Sequence, residues 1–487
     1  MEPLTSLDAS FILADMPGRP MHISSISIYD PSTSVAGPDG SPLRFNQIME
    51  RFRDAIYDVP MLRRRLVTVP ANLDFPYWIE DPDFDIEFHV RHIALPKPGD
   101  WQQLFIQLSR LHSSALDMSR PLWEVYVIEG LDHLDGIPTG SFAVVQKVHH
   151  AAMDGLSVKS MFMALHDTQP KSRERVRPTE PLLRESRPGL VSMMITASRR
   201  AARRPLLFGR VTMQLLDTLR RVAQAETRGE IGPLIEAPRC RFSGTTSAYR
   251  TVTAAEFDLE EFLQLKRLRP HITFNDLALS VFGGALRQYL MDKDELPEQP
   301  LVAQVPVDMR GRGSQVKGGN QINTLDASCG SDIADPLARL DAVRASTQDG
   351  KKRLEIVGAS LLHDVIEALG PQATAMLYNL IYDSGSPGLL DKIMPASPNL
   401  VFSNMPGPAA PVYLCGAQLV WGIGLGPIMP NNGLFVAVTS LCGELIYGIT
   451  ACRKMMPDPE VFRQCLYDSY EKTKLALLAT TNRGEGG

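Results

Sequence analysis

The chain has 487 residues, of which 44% are hydrophobic and 22% charged, a composition that excludes a largely disordered protein. Its length exceeds what one hydrophobic core usually covers, so two domains are expected. The formal net charge of −5 gives no electrostatic reason to expect nucleic acid as a partner.

Cysteine spacing and the N-terminus exclude further classes. The six cysteines form no CxxC pair and no zinc-finger cluster with histidine, so we expect buried free thiols in a reducing compartment and no metal site. The first residues lack the basic segment and apolar run of a signal peptide. No apolar stretch reaches about 18 residues, the length of a spanning helix. A cytoplasmic protein, soluble or lying on a membrane surface, is expected.

The first part of the chain alternates predicted helices and strands. Residues 45–56 place apolar side chains on one helical face, and residues 101–112 repeat this pattern. Residues 121–130 and 141–148 are rich in β-branched and aromatic residues, which predicts two strands.

Two histidines follow the second of these strands, in the sequence HHAAMDG. If the two-residue period of the strand continues, His150 shares a face with Val148 and His149 points to the other face. Apolar residues after Asp154 have helical spacing, so the histidines lie on a short turn between strand and helix. Gly155 lets the backbone of this turn pass close to a substrate.

His150 is suited to removing a proton from an alcohol. Neutral imidazole, with an ordinary pKa near 6.5, accepts a proton at cellular pH and returns it to a leaving group. Asp154 could fix the ring or the loop that carries it. Both residues also have purely structural interpretations: Asp154 as the N-cap of the following helix, and His150 as a hydrogen-bonded core histidine.

Residues 171–228 differ in charge from the rest of the chain. They contain fourteen lysines and arginines against five acidic residues, so the segment carries +9 and the remainder −14. Apolar clusters alternate with arginine pairs, and Pro205 is expected to break the helical pattern. The segment is either a solvated inter-domain linker or a surface helix on anionic lipid.

The second part of the chain begins with helical patterns at residues 257–268 and 272–290. Strands are predicted at residues 301–309, 399–405, 433–441 and 444–451. Because strict β-α-β alternation is missing, we predict an α/β fold with mixed sheets, arranged as two sandwich domains. The predicted domains are residues 1–180 and 241–487, joined by a basic helical linker at residues 181–240.

HHAAMDG has the form HHxxxDG and resembles the motif of the bacterial wax ester synthase/diacylglycerol acyltransferase family. The wider group that shares HxxxD includes chloramphenicol acetyltransferases and the condensation domains of peptide synthetases. Further stretches that match the family in order cover nearly the whole chain: LTSLDASFILADMPGRPMHI, SRPLWEVYVIEGL, ITFNDLALS, VPVDMR, GGNQIN and SNMPGP.

The resemblance implies two chloramphenicol-acetyltransferase-like domains with a tunnel between them. It also implies direct transfer of a fatty acyl group from acyl-CoA to diacylglycerol or a long-chain alcohol, with His150 as general base and His149 in support. Asp154 is then structural and pairs with an arginine, for which Arg310 is the candidate. Acyl-CoA is a co-substrate, and no cofactor is expected. The protein is expected at the inner membrane or on lipid droplets.

Attack on a thioester creates an oxyanion that needs a hydrogen-bond donor, typically worth about 3 kcal/mol. Asn275 and Ser403 are the candidates, and Asn404 beside Ser403 is a candidate substrate contact. Asn275 also lies inside a predicted capping box from Thr273 to Asp276, which is a structural alternative.

Pro121, Leu122 and Trp123 are interpreted as the wall of a substrate tunnel or as core. GIGLG at residues 422–426 does not complete a nucleotide-binding fingerprint, and neither GxSxG nor HExxH occurs. Two alternatives stay open. One is an acyltransferase with another alcohol, an amine or a carrier-bound acceptor, and the other is a lipid-droplet surface protein without turnover.

Overall fold

Two six-stranded sheets and one three-stranded sheet carry the fold of the described residues. The computed structural model describes residues 2–34, 45–152, 155–171, 189–308, 322–358, 360–383 and 398–484. The strands are β1 (Glu2–Pro3), β2 (His22–Asp30), β3 (Arg64–Val67), β4 (Tyr77–Glu80), β5 (Val90–Ala94), β6 (Trp123–Glu129), β7 (Phe142–His149), β8 (Arg250–Asp258), β9 (Val302–Asp308), β10 (Ile322–Ser328), β11 (Leu400–Asn404), β12 (Tyr413–Leu414), β13 (Ala417–Leu425), β14 (Leu434–Leu441) and β15 (Glu444–Cys452). The helices are α1 (Ser6–Ala14), α2 (Phe45–Asp58), α3 (Ile86–His89), α4 (Trp101–Ser113), α5 (Gly155–Leu165), α6 (Leu190–Thr227), α7 (Leu259–Arg267), α8 (Phe274–Met291), α9 (Pro336–Val357), α10 (Leu361–Asp383) and α11 (Pro459–Gly484).

Both large sheets mix parallel and antiparallel strands. The first has the order β12–β13–β2–β7–β6–β5, the second β10–β9–β11–β14–β15–β8, and the small sheet β1–β4–β3. Strand β5 runs parallel to β6, and β11 runs parallel to β9 and β14. Mixed sheets packed against helices confirm the predicted α/β fold class. Strands β12 and β13 lie in the first sheet although β11 before them lies in the second.

The first sheet is covered on both faces, which explains the apolar sequence of its central strand. Val144 and Val148 of β7 belong to a cluster that includes α2 and Trp123. Ala143 and Val145 belong to another cluster, which includes α4 and reaches β8 and β15 of the second sheet. Every residue of β7 is therefore buried. A third cluster joins the second sheet to α8 and α11.

The glycines of GIGLG allow the two large sheets to approach each other at β13. A Cβ atom on Gly424 would lie 1.9 Å from the Cε atom of Met405, the residue after β11. A Cβ atom on Gly426 would lie 2.2 Å from the ring of Phe435 in β14. The glycine pattern thus serves sheet packing, because larger side chains would separate the layers.

Several elements differ from the prediction. Helix α6 continues through Pro205 over 38 residues, so the predicted break is wrong. One interior proline removes a single backbone hydrogen bond, and packing against α10 supports the helix there. Strand β8 and helices α9 and α10 were not predicted. The domain boundaries at residues 180 and 240 stay predictions. Among the described residues, every helix is either too short or too polar to cross a lipid bilayer.

Candidate active site

The two histidines of HHAAMDG stand at the end of β7, where hydrogen bonds fix their backbone on both sides. The His149 amide donates to the Leu122 carbonyl at 3.0 Å, and the His150 amide donates to the Met21 carbonyl at 2.9 Å. Strand β7 ends at His149, and His150 begins a short 3-10 helix. The two-residue period used in the prediction therefore does not reach His150. Leu122, directly before β6, and Met21, directly before β2, therefore fix the backbone of the motif.

The imidazole of His150 is half-buried beneath an aromatic ring. The Phe11 ring of α1 stacks on it with a centroid distance of 4.0 Å. Burial, and secondarily the neighbouring His149, lower the pKa of His150 to about 4, although a hydrogen bond to its own backbone carbonyl acts in the opposite direction. The ring is therefore neutral at pH 7. In the neutral ring, one of the two nitrogens carries a lone pair that can accept a proton.

His149 is fully buried and serves a different purpose. Its Nδ1 atom accepts a hydrogen bond from the Ala151 amide at 3.1 Å, so in the neutral ring the proton lies on Nε2. That Nε2 atom lies 3.3 Å from Oδ2 of Asp15, and the same oxygen accepts from the Met21 amide at 2.8 Å. Asp15 therefore connects Met21, whose carbonyl holds the His150 backbone, to the ring of His149. Sequence reasoning missed Asp15, because its partner His149 lies more than a hundred residues further along the chain.

Three further motif candidates can be located only in part. Gly155 begins α5, so the predicted strand, turn and helix follow each other as expected. Asp154 and its candidate partner Arg310 lie outside the described residues. Their predicted pairing stays a prediction.

Asn275 and Asn404 come together in the second sheet's layer. Nδ2 of Asn404 donates to Oδ1 of Asn275 at 2.7 Å. The predicted capping box is present at the start of α8, and the Asp276 carboxylate also accepts from the Thr347 hydroxyl at 2.6 Å. Asp276 is therefore a structural residue. Within the described residues, the Asn275 Nδ2 group has no hydrogen-bond acceptor.

The histidine pair and the asparagine pair occupy adjoining sheets. Met405, directly after Asn404, packs against Gly424 of β13, and β13 pairs with β2. In β2, His22 pairs with His149 of β7. No hydrogen bond among the described residues joins the two pairs. Ser403 is half-buried beside Asn404 in β11.

Pro121, Leu122 and Trp123 lie in the core. The indole of Trp123 is 2% exposed, donates to the Leu62 carbonyl at 2.6 Å, and stacks on His89 at 4.5 Å. This packing agrees with the core interpretation, and a substrate contact by the three residues stays a prediction. Their clear contribution to the site is the Leu122 carbonyl, which holds the His149 backbone.

A buried ion pair that sequence reasoning missed lies two residues before His149. The Lys147 side chain is completely buried, with Nζ 3.0 Å from the Glu124 carboxylate and 2.8 Å from the Ser114 carbonyl. Burial lowers the pKa of Lys147, and Glu124 partly opposes this effect. A lysine within the largely apolar SFAVVQKV was the available signal.

His112 joins the end of α4 to the glycine-rich strand end. Its Nε2 atom donates to the Gly426 carbonyl at 3.1 Å, and its Nδ1 atom accepts from the Ser24 hydroxyl at 2.9 Å. Burial lowers its pKa to about 3, so this histidine is neutral and structural. Its two hydrogen bonds connect α4 to β2 and to the end of β13, beside the His22–His149 pair.

Among the described residues, no group of three or more histidine, cysteine or acidic side chains could hold a metal ion. The cysteines are free thiols, but not all of them are buried as predicted. Cys442 is exposed, and Cys240 and Cys415 are half-buried.

Two parts of the chain match models of protein-family domains. Residues 4–278 match the model of the wax ester synthase/diacylglycerol acyltransferase catalytic domain, and residues 318–474 match the C-terminal domain of the same family. A Mycobacterium tuberculosis CDC 1551 protein, provisionally named a diacylglycerol O-acyltransferase, is 32% identical over 462 residues, which cover 94% of this chain and 87% of the relative. A second such protein, from strain H37Rv, is 30% identical and covers 94% of this chain and 95% of its own.

Solved structures show the same fold. The wax ester synthase/diacylglycerol acyltransferase from Marinobacter aquaeolei VT8 has a TM-score of 0.68 at 24% identity, with 98% of this chain and 100% of that chain covered. The trichothecene 15-O-acetyltransferase TRI3 from Fusarium sporotrichioides has a TM-score of 0.56 at 12% identity, with 97% and 94% covered. A rhizomide synthetase starter condensation domain reaches 0.55 at 13% identity, with 98% and 94% covered. The predicted two-domain, chloramphenicol-acetyltransferase-like fold class is thereby confirmed. The chain belongs to the wax ester synthase/diacylglycerol acyltransferase family and is an acyltransferase.

Proposed function

We propose that the protein transfers a fatty acyl group from acyl-CoA to the hydroxyl of diacylglycerol or of a long-chain alcohol. The products are a triacylglycerol and a wax ester, respectively. The observation that carries the proposal is the neutral, half-buried imidazole of His150, held at the end of β7 by backbone hydrogen bonds. The names of the relatives support both acceptor classes. Acyl-CoA is a co-substrate in this proposal, and the chemistry needs no bound cofactor.

In the proposed reaction, His150 removes the proton of the acceptor hydroxyl while the oxygen attacks the thioester carbonyl. A carbon–oxygen bond forms, and the carbonyl electrons move onto the oxygen of a tetrahedral intermediate. When this intermediate collapses, the carbon–sulfur bond breaks and the CoA thiolate takes the proton from His150. The acyl group never bonds to the protein, and His150 ends the cycle neutral.

The asparagine pair is the proposed source of oxyanion stabilisation. Asn404 occupies Oδ1 of Asn275, and in the proposal the Asn275 Nδ2 group donates to the oxyanion. Preorganised donors of this kind are typically worth about 3 kcal/mol in the transition state. Ser403 is a second donor in the proposal. Asp154, paired with Arg310, is proposed to hold the turn that carries His150.

We further propose that the reaction takes place at the surface of the inner membrane or of lipid droplets. Diacylglycerols and long-chain alcohols partition into lipid because of their apolar surface, so an enzyme that uses them must meet a lipid phase. The charge of +9 on residues 171–228 supports attraction to anionic lipid.

The test compares two acceptors with the same purified full-length protein. Palmitoyl-CoA is supplied with dioleoylglycerol or hexadecanol, and both CoA release and the ester product are quantified. His150→Gln should lower kcat by about 10²- to 10⁴-fold, the usual contribution of a general base. His133→Gln, which changes an exposed histidine, is the matched control and should retain activity.

Two results would contradict the proposal. The first is the absence of acceptor-dependent CoA release with either lipid. The second is a His150→Gln protein that retains the activity of the His133→Gln control. The ratio of the two ester products decides between the acceptor classes, and an amine or carrier-bound acceptor would be indicated if only those substrates react.

A further inference from the structure

A cavity of about 280 Å³ lies where three separate segments of the chain meet. These segments are the turn between α1 and β2, the residues before β8, and the loop between β13 and β14. Pockets that enclose a whole drug-sized molecule usually measure about 300–1,000 Å³, so this cavity suits one small group of a ligand. The residues that line it include Gly18, Arg19, Thr245, Thr246, Ala248 and Pro430.

Close backbone contacts hold the three segments together around the cavity. The φ angle of Gly18 is +80°, in the left-handed region that favours glycine, and a Cβ atom on it would lie 3.2 Å from Cβ of Ala248. The Asn431 amide donates to the Gly244 carbonyl at 2.8 Å, which joins the β13–β14 loop to the residues before β8. The cavity walls are therefore fixed relative to each other.

A buried arginine connects two of these walls. Arg250 is 3% exposed, and its guanidinium donates to the Ser247 carbonyl and, at 3.1 Å, to the Gly18 carbonyl. Among the described residues, no carboxylate forms an ion pair with it. Burial lowers the pKa of Arg250 to about 10, an effect that Cys452 partly opposes, so the side chain is still a cation at pH 7. A buried cation without an acidic partner favours an anion nearby.

Positive charge predominates in the chain segments around the cavity. The end of β15 and the turn after it also adjoin the cavity walls, because the Arg453 amide donates to the Tyr249 carbonyl at 3.0 Å. These segments contain the cations Arg19, Arg250, Arg453 and Lys454 and no acidic residue, although the whole chain carries −5. Clefts lined by one sign of charge concentrate ions of the opposite sign. The segments are residues 16–21, 243–252, 426–433 and 450–456.

Two side chains in the cavity wall are suited to holding an anion. Arg19 lines the cavity and is half-buried, and the planar donor set of a guanidinium matches the oxygens of a phosphate group. The Oγ1 atom of Thr246 is buried and has no hydrogen-bond partner among the described residues. Buried polar atoms without a partner are rare, and a bound ligand explains this one.

The turn that forms one wall of the cavity also holds the candidate base. Met21, three residues after Gly18, accepts a hydrogen bond from the His150 amide at 2.9 Å. The nearby carboxylate of Asp15 is already engaged, since it accepts from the Met21 amide and faces His149. A molecule that reacts at His150 therefore has this cavity close to its other end.

We propose that the cavity binds a phosphate monoester group. Arg19 and the Thr246 hydroxyl donate to its oxygens, and Arg250 adds positive charge from behind the wall. Because the cavity adjoins the turn that holds His150, the favoured source is the 3′-phosphate of the CoA co-substrate. In this respect the inference rests on the proposed function. Free phosphate and the headgroup of phosphatidate share the same chemistry, so the experiment has to distinguish the three sources.

The test compares the Kd values of CoA and 3′-dephospho-CoA for the purified full-length protein, by calorimetric titration without acceptor at fixed ionic strength. The unmodified protein should prefer CoA by about ten- to a hundred-fold, the range expected for hydrogen bonds to a charged group. Arg19→Gln should abolish most of this preference, and Thr246→Val should reduce it. The matched control Arg267→Gln changes an exposed arginine of α7 and should keep the preference.

Inorganic phosphate and a short-chain phosphatidate are titrated against the same four proteins. Binding of either that is lost in Arg19→Gln and kept in Arg267→Gln supports the phosphate site and identifies a source other than CoA. The proposal is overturned if Arg19→Gln leaves the preference for CoA unchanged and neither of the other two ligands binds in an Arg19-dependent way.

Ester formation, measured separately, distinguishes this inference from the proposed function. The His150→Gln protein should keep the preference for CoA, because the substitution lies outside the cavity. A preference that depends on Arg19, in a protein that forms no ester, would contradict the proposed function and leave the phosphate site standing. Ester formation by a protein without any Arg19-dependent phosphate binding would contradict the phosphate site alone.

Discussion

The acidic limb of the pH–rate profile should lie far below the ordinary pKa of histidine. The base must be neutral to accept a proton, and burial lowers the pKa of His150 to about 4. The difference from 6.5 corresponds to about 3 kcal/mol against protonation, at about 1.4 kcal/mol for each pKa unit. We therefore expect kcat/KM to fall as the pH drops through about 4, rather than through 6.5.

Phe11→Ala is the perturbation that tests the cause. Its ring covers the imidazole at 4.0 Å, so removing it admits water and stabilises the protonated form. The acidic limb should then move upward by one pH unit or more towards 6.5. Phe84→Ala is the matched control, because Phe84 stacks on His89, outside the candidate site. The acidic limb of the Phe84→Ala enzyme should lie at the same pH as that of the unmodified enzyme.

The assay follows ester formation from labelled acyl-CoA between pH 3.5 and 8. Each sample is returned to pH 7.5 and assayed again, so that unfolding is separated from titration. Folding favours the neutral ring when the folded pKa is the lower one, so stability declines as the pH falls from 6.5 towards 4. An active Phe11→Ala enzyme with an unmoved limb near pH 4 would refute the assignment of the shift to this burial.

Three further predictions concern positioning and packing. Asn404→Ala should lower kcat about ten-fold with little change in KM, because it releases Oδ1 of Asn275; steady-state kinetics at saturating acceptor measure this. Asp15→Asn should lower kcat several-fold without a marked drop in Tm, because the oxygen that faces His149 loses its charge. A loss of activity that is accompanied by a marked drop in Tm would indicate a merely structural role. Gly424→Val should destabilise the protein by about 1–3 kcal/mol in urea unfolding, since a Cβ atom there overlaps a methionine side chain.

The elements predicted correctly from sequence are those whose pattern is local. Residues 45–56 and 141–148 correspond to α2 and β7 because one buried face imposes a helical period, and two buried faces impose a continuous apolar strand. Asp276 was recognised as a cap for the same reason: its partner Thr273 is three residues away. Signals of this kind need only the neighbouring residues.

Elements defined by distant partners were missed or misread. Strand β13 contains Gly424, whose meaning depends on Met405 in the adjoining layer, so GIGLG was only an incomplete nucleotide fingerprint in the sequence. The break predicted at Pro205 had a sound local basis, but α10 supports the helix from about 160 residues further along the chain. Packing overrides local propensity at both places.

The candidate site also depends on both neighbouring and distant residues. For this reason the motif alone did not determine its chemistry. Adjacent histidines in HHAAMDG identify a candidate base, but burial lowers its pKa, and the ring that covers it is that of Phe11, which the chain brings back from the first helix. The separate tasks of His149 and His150 likewise depend on Asp15, since parity along β7 ends at His149. A motif therefore specifies which atom can accept the proton, whereas the residues packed around it determine the pH at which that atom is free to do so.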